Sequence, residues 1–432
     1  MDLPVLVLVV SFVILLLLNV PVAFCMGIAT VLAFLTMGAP AFVAVAHNIA
    51  TGIDSFALLA IPFFILSGLF MGHGGIARRL IDFANVLVGR FRGGLAYVNV
   101  VTCMLFGAIS GSATAAVSSV GGFMVPLMNK MGYDRDFNAS VTITAATTGL
   151  LIPPSNVMIV YSLATGGSVS IAAIFMAGYL PGILVGLGLL IVSGFISVRH
   201  NYGKGETFPF WESVIRFLRA IPAMLLIFIV IGGILLGWFT PTEASAVAVL
   251  YSFFLAVVVY REVKLRDLGA ILLQCGVTTS VVFLLIGTSM AMSWVLASEN
   301  VPQGISTALV SWTSSRVVLL LLINAILLVV GTFMDMTPAI LIFTPILLPI
   351  VGKLGIHPLH FGIILIMNLC IGLCTPPVGT CLFLGCGIAE TTVTKVIRPI
   401  LPFFIAMILA LLIVTFVPEI SMWLPEKLGF VR

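Results

Sequence analysis

The residues best suited to do chemistry in this chain sit at two double prolines. One stretch reads Gly149-Leu150-Leu151-Ile152-Pro153-Pro154-Ser155-Asn156, the other Gly372-Leu373-Cys374-Thr375-Pro376-Pro377-Val378-Gly379. Proline has no amide hydrogen, and its ring clashes with the carbonyl one turn earlier, so two in a row stop a helix and free carbonyl oxygens. In apolar surroundings such oxygens are costly unless something binds them. A sodium ion suits them, because hard cations take oxygen ligands and need no soft donor. Ser155 and Asn156 add oxygens at the first break, and Thr375, Pro376 and Gly379 hold the equivalent places at the second. Two further segments are polar where their neighbours are not. The hydroxyls of Ser110-Gly111-Ser112-Ala113-Thr114 are neutral acceptors for a cation or for the polar groups of an organic anion. Gly331-Thr332-Phe333-Met334-Asp335-Met336-Thr337-Pro338 carries a carboxylate. A charge inside a membrane region is expensive and marks a functional candidate. Asp335 therefore reads either as a sodium ligand or as a helix-cap aspartate near an interface.

The elements that position these residues repeat. Pro153 and Pro376 stand 223 residues apart, and the same offset relates Pro126 to Pro349, Lys130 to Lys353 and Gly132 to Gly355; Pro21 and Pro241 pair at 220. Paired interrupted helices in corresponding places are the sequence sign of a transport site in a secondary carrier. The regions 93–131 and 317–351, each ahead of a double proline, read as two half-helices joined at a polar tip, a re-entrant hairpin. Irregular backbone at that depth survives only where protein buries it or where it lines a watery cavity. If each copy crosses the membrane an odd number of times, the second copy is inverted.

Composition sets the class. The 432-residue chain is 61% hydrophobic and 8% charged, against about 25% charged in soluble proteins. Asp, Glu, Lys and Arg are absent from 137–198 and from 3–53, and a crossing needs roughly 20 apolar residues. This describes an all-α polytopic membrane protein. Candidate crossings are 3–18, 20–35, 56–71, 141–163, 171–198, 220–239, 244–260, 277–296, 317–330, 361–373 and 399–417. The first lacks a basic flank and a small-residue cleavage pattern, so it reads as a retained helix. The segments 76–92 and 299–316 are amphipathic and suit helices lying along the interface. In Thr240-Pro241-Thr242-Glu243, Thr240 or Thr242 is placed to cap a helix beginning at Pro241 or Glu243.

Other chemistries lack their residues. No Gly-rich loop ends in Gly-Lys-Ser or Gly-Lys-Thr, so the chain has no P-loop for ATP. The five histidines, at 47, 73, 200, 357 and 360, form no His-Glu-x-x-His pattern, and His357 and His360 read as a solvated pair. The seven cysteines read as buried apolar thiols. The net charge of +4 fits positive cytoplasmic loops, and no clustered basic face invites nucleic acid. An intramembrane hydrolase would need a base near Ser110 or Ser112, and the serine tip lacks the Gly-x-Ser-x-Gly elbow. An uncoupled facilitator or channel for organic anions stays open, since such breaks also suit pore filters.

Across almost its whole length the chain resembles the large membrane subunit of the tripartite ATP-independent periplasmic (TRAP) transporters. The resemblance rests on Ile61-Pro62-Phe63-Phe64, on 107–114 and on Pro126 through Gly132-Tyr133. It continues in Ile152-Pro153-Pro154-Ser155, Phe239-Thr240-Pro241-Thr242-Glu243-Ala244 and Thr375-Pro376-Pro377-Val378-Gly379. It implies a sodium-driven, non-enzymatic importer of an organic acid in the bacterial inner membrane, multi-pass and surrounded by lipid. The family's importers are served by a soluble periplasmic binding protein and a small four-helix membrane subunit. The implied fold is an elevator-type transporter similar to the ion transporter superfamily, with two inverted-type repeats and two hairpins. Residues 93–200 and 317–395 would form the moving part. Residues 1–92 and 201–316 would supply scaffold helices and arms, and 396–432 a C-terminal membrane helix. The first sodium clamp would join Ser110 and Thr114 to Pro153 and Ser155. The second would join Gly331, Asp335 and Thr337 to Thr375, Pro376 and Gly379. The anion would lie between them, against Ser110, Ser112, Thr114, Asn156 and Thr337. The leading substrates are sialic acid and C4-dicarboxylates, with a slight lean to sialic acid.

Overall fold

A computed structural model describes residues 3–18, 20–37, 41–203, 205, 208–305 and 315–431. Those residues form helices and no strand. Among the described residues, eight helices are long and apolar enough to cross a bilayer, and four shorter ones are apolar as well. The helix Phe210–Leu235 has 26 residues, about 39 Å at 1.5 Å per residue, close to a bilayer with its headgroups. Exposed Trp211 and Trp238 flank it, as interfacial aromatic belts do. Ile183, Leu187, Ile191 and Phe195 are exposed at four-residue intervals along Ile171–Arg199, a stripe that lipid would cover.

Both polar segments reverse the chain between two helices. Gly94–Ser110 has 17 residues, about 25 Å, short of a roughly 30 Å hydrocarbon core. It ends at Gly111 with φ +62°, whose amide donates to the Gly107 carbonyl, the left-handed stop that glycine supplies cheaply. Ser112 restarts the helix by accepting from the Ala115 amide at 3.2 Å. The return limb runs through Ala113–Ala116, a π turn at Val117–Gly121 and Gly122–Lys130. In the second hairpin, Arg316–Phe333 ends at extended Met334 and Asp335, and Met336–Lys353 returns.

Each hairpin is followed by an interrupted helix. Asp134 caps Arg135–Thr148, accepting from the amides of Asp136 and Phe137. That helix closes with three tight turns, Leu150 to Thr147, Leu151 to Thr148 and Ile152 to Gly149. After a cis Pro153–Pro154 bond the chain resumes as Asn156–Ala164. In the second copy, His357 caps Pro358–Gly372, the Pro376–Pro377 bond is also cis, and Thr380–Ile388 follows. The expected single crossing at 141–163 is thus two helices, because the prolines remove the amides that would join them.

The two interrupted helices run antiparallel. Tyr161, at the far end of the first, donates to the Pro358 carbonyl at the start of the second, 2.6 Å away. At the opposite end Thr391 donates to Asp136, and Arg135 pairs with Glu390. Midway, the Cys374 thiol faces the Ile143 carbonyl. The turn after Lys130 and the turn after Lys353 therefore lie at opposite ends of the bundle. The far limbs also cross over. Thr380–Ile388 packs on the first hairpin's return limb, and Asn156–Ala164 on the second's. Next to each tip a hairpin meets its own interrupted helix glycine to glycine. A Cβ on Gly149 would stand 2.3 Å from the Gly107 Cα, and one on Gly372 2.4 Å from the Gly331 carbonyl carbon.

The first amphipathic segment forms Ile76–Val88, burying Ile76, Ala77, Leu80, Phe83 and Ala84. It packs on Gly94–Ser110 and Phe210–Leu235 and is fastened by Asp82–Arg216 at 2.9 Å and by Arg79 stacked 3.7 Å over Tyr260. Half of the second, residues 306–314 of 299–316, lies outside the described residues. Thr240 caps Pro241–Phe253 in a capping box with Glu243, so that break needs no other role. All seven cysteines are buried and free. His357 and His360 are not a solvated pair. His357 is the cap just described, and His360 is buried with Nδ1 2.6 Å from the Ser421 hydroxyl.

Candidate functional site

A cavity of about 600 Å³ lies where the two hairpin tips and the two interrupted helices meet. Of the sequence-predicted residues, Ser110, Ser112, Thr114, Asn156, Asp335 and Thr337 line it together, although in sequence they belong to opposite halves. Helices begin at this cavity at Ala113, Asn156, Met336 and Thr380. Helix N-termini present unpaired amides and a partial positive charge, a setting that favours anions. Ser118, Ser119 and Thr380 add hydroxyls, and Asp335 is the one carboxylate in the described lining, which holds no Lys or Arg. Gly68 lets Ala60–His73 abut the first tip, since a Cβ there would stand 2.6 Å from the Ser110 carbonyl oxygen.

The remaining predicted residues sit behind the cavity wall. Pro153 and Ser155 are buried at the first break. The Ser155 hydroxyl and the Asn156 side-chain oxygen are buried without a hydrogen-bond partner. Orphans of this kind call for explanation, because a buried polar atom left unpaired costs about 1–3 kcal/mol. At the second break, Thr375 donates to the Ile371 carbonyl at 2.7 Å, and the chain folds so that the Leu373 and Thr375 carbonyl oxygens converge on Gly379. A Cβ there would be 2.8 Å from both. Only a glycine leaves that oxygen-lined space open. Gly331 lies within its helix against Gly372 rather than at the tip. Asp335 occupies the cap position of Met336–Lys353 yet makes no side-chain capping bond, and it has exposed surface toward the cavity. Neutral oxygens at both breaks fit a hard alkali cation. Among the described residues, no cluster of three His, Cys, Asp or Glu side chains offers a softer or multiply charged metal a home.

Ser110 Oγ reaches only the Ser112 backbone, and Ser112 Oγ only Thr114 Oγ1 and the Ala115 amide. Sequence reasoning missed the opposite wall, where Ile61, Ile65, Gly68, Leu69, Gly72 and His73 face the tips beside Gln274, Thr278 and Val282. The available signal was an amide at Gln274 within an apolar run.

A polytopic helical bundle closed around a hydroxyl-lined cavity fits a membrane permease. The chain belongs to the family described as "Tripartite ATP-independent periplasmic transporter, DctM component", which matches residues 9–420. It is 50% identical to the uncharacterized protein YgiK of Salmonella typhimurium, over 98% of this chain and 97% of that one. It is 38% identical to the C4-dicarboxylate TRAP transporter large permease protein DctM of Rhodobacter capsulatus, over 96% and 97%. It is 36% identical to the sialic acid TRAP transporter large permease protein SiaM of Vibrio cholerae, over 88% and 89%. Among solved structures, the Alcanivorax borkumensis YdaH transporter, reported to have an unusual topology, shares the fold with a TM-score of 0.62 at 14% identity, over 100% of this chain and 99% of that one. The chain is thus the large permease of a TRAP transporter.

Proposed function

We propose that this permease is a sodium-coupled importer that carries an organic acid anion across the bacterial inner membrane by an elevator movement. The supporting observation is the cavity itself, where four helix N-termini and a set of hydroxyls meet without any Lys or Arg. An anion there gains hydrogen bonds and helix dipoles but no side-chain cation. Its charge in a low-dielectric body is best offset by co-transported Na⁺, and the oxygen-lined breaks beside the cavity are the proposed places for it. The first clamp uses Ser110, Thr114, Pro153 and Ser155. The second uses Gly331, Asp335, Thr337, Thr375, Pro376 and Gly379. The antiparallel breaks and crossed-over far limbs support inverted repeats that move as one body, formed by 93–200 and 317–395 against 1–92, 201–316 and 396–432. Reporter fusions that place Lys130 and Lys353 on one side of the membrane would refute the inversion.

The proposed cargo is an acid of the C4-dicarboxylate or sialic acid class. Relatives of nearly equal identity carry both names, so likeness does not choose between them. The proposed partners are a periplasmic binding protein that delivers the acid and a small membrane subunit. Uptake by proteoliposomes holding all three components tests the reading. A sodium gradient should drive accumulation, and sodium affinity should rise with substrate present, since the linkage is reciprocal. Uptake that only equilibrates, whatever the gradient, would point to an uncoupled facilitator instead.

A further inference from the structure

The two tips account for one side of the cavity; the other side carries polar groups that no cation clamp uses. Gln274, Thr278 and Val282 stand four residues apart on Leu268–Ser298 and face the cavity together. Leu272, Leu273, Val277 and Val281 of the same helix are exposed elsewhere on its surface. Thr278 donates to the Gln274 backbone carbonyl at 2.9 Å, which leaves its oxygen free to accept. The Gln274 side-chain amide has no hydrogen bond among the described residues. On the neighbouring helix, His73 ends Ala60–His73 with Nδ1 2.9 Å from the Leu69 carbonyl. That carbonyl can only accept, so Nδ1 carries the proton and Nε2 is left without a described partner. Polar groups on membrane helices are retained where they face a watery path and do work there.

We propose that His73, Gln274 and Thr278 form a second subsite, which holds the far end of the transported anion while its first carboxylate lies at the helix N-termini around the tips. The ligand chemistry is an acid with a distal hydroxyl, which can donate to His73 Nε2 or the Thr278 oxygen and accept from the Gln274 amide; a distal carboxylate could use the Gln274 amide alone. This rests on the transport reading above and extends it to the opposite wall. It makes selectivity between one-ended and two-ended acids a property of that wall, separate from the cation clamps. The cavity, at about 600 Å³, has room for an acid that bridges both sides.

The test compares wild type with Gln274→Leu and His73→Phe, using His73→Gln as the conservative control. Uptake is measured with both partner components present, and binding by calorimetry on the purified permease, which needs no turnover. The probes are succinate, with a distal carboxylate, N-acetylneuraminate, with distal hydroxyls, and butyrate, with neither. Losing one such hydrogen bond should raise KM and Kd for a two-ended probe about three- to tenfold. Butyrate binding and the half-saturating sodium concentration should not change, and His73→Gln should recover part of the loss. An effect confined to N-acetylneuraminate assigns the subsite to hydroxyls; one confined to succinate would overturn that assignment. Wild-type values for both probes in both variants would overturn the proposal, as would the absence of saturable binding of any probe to the wild-type protein. Uptake that ignores sodium would instead sink the coupling reading, with the calorimetric comparison still reporting on the wall.

Discussion

Replacing Gly379 by alanine is the most direct test of the second break. The added methyl would sit 2.8 Å from both the Leu373 and Thr375 carbonyl oxygens and 3.1 Å from the Thr375 amide nitrogen, closer than side-chain carbons approach such atoms. Either the oxygens turn away or the methyl fills the space between them; a cation bound there would lose two ligands in both cases. Contacts of a charged group with a polar partner contribute about 1.5–3 kcal/mol each. Two of them amount to about 3–6 kcal/mol, or two to four decades in affinity. In proteoliposomes Gly379→Ala should raise the half-saturating sodium concentration at least about a hundredfold and lower the steepness of sodium activation. Gly387→Ala is the matched control, because it lies in the same helix, Thr380–Ile388, and its Cβ would meet nothing within 4 Å. A folding defect would appear as a lower sodium-free melting temperature and can be separated from a lost site. If Gly379→Ala folds and keeps the wild-type sodium dependence, the carbonyl cradle is not a cation site.

Other expectations follow from the same geometry. Ser155→Ala removes a buried hydroxyl that has no internal partner, so sodium-free thermal stability should rise, by up to about 1–3 kcal/mol. The melting-temperature rise caused by added sodium should shrink, as linkage requires for a weakened ligand; an undiminished rise would clear Ser155 of the role. Asp335→Ala should shift sodium activation of uptake to higher concentration, and an unchanged curve would remove Asp335 from the site. Gly149→Ala drives a methyl to 2.3 Å from the Gly107 Cα, and backbone cannot yield as a side chain does. The variant should lose about 3 kcal/mol of stability in a denaturation experiment, and wild-type stability would show that the crossing is not tight.

The local half of this architecture was legible in the sequence and the long-range half was not. Pro153–Pro154 and Pro376–Pro377 announce their breaks because an imino acid cannot donate, whatever surrounds it. Gly111 and Ser112 likewise carry their own stop and start signals, and Thr240 with Glu243 encodes a complete cap. By contrast, nothing local to 141–163 says where its two limbs pack, and the second of them rests on the other half of the chain. His360 reads as solvated beside a loop because Ser421, its partner, is far away in the chain. Gln274 and His73 give weak signals, since a lone polar residue acquires meaning only when another helix supplies the facing wall. The orphaned Ser155 hydroxyl and the convergence of oxygens on Gly379 depend on how the chain turns, which residue type alone does not specify.

The crossed-over limbs have a consequence for assembly. Because Asn156–Ala164 rests on the second hairpin and Thr380–Ile388 on the first, neither half of the polypeptide encloses a finished pocket. A fragment ending near residue 203 would leave its distal limb without its neighbour and its serine-bearing loop without the opposing aspartate. Folding of the pocket must therefore await synthesis of the last quarter of the chain, and a lesion in either hairpin propagates to both interrupted helices.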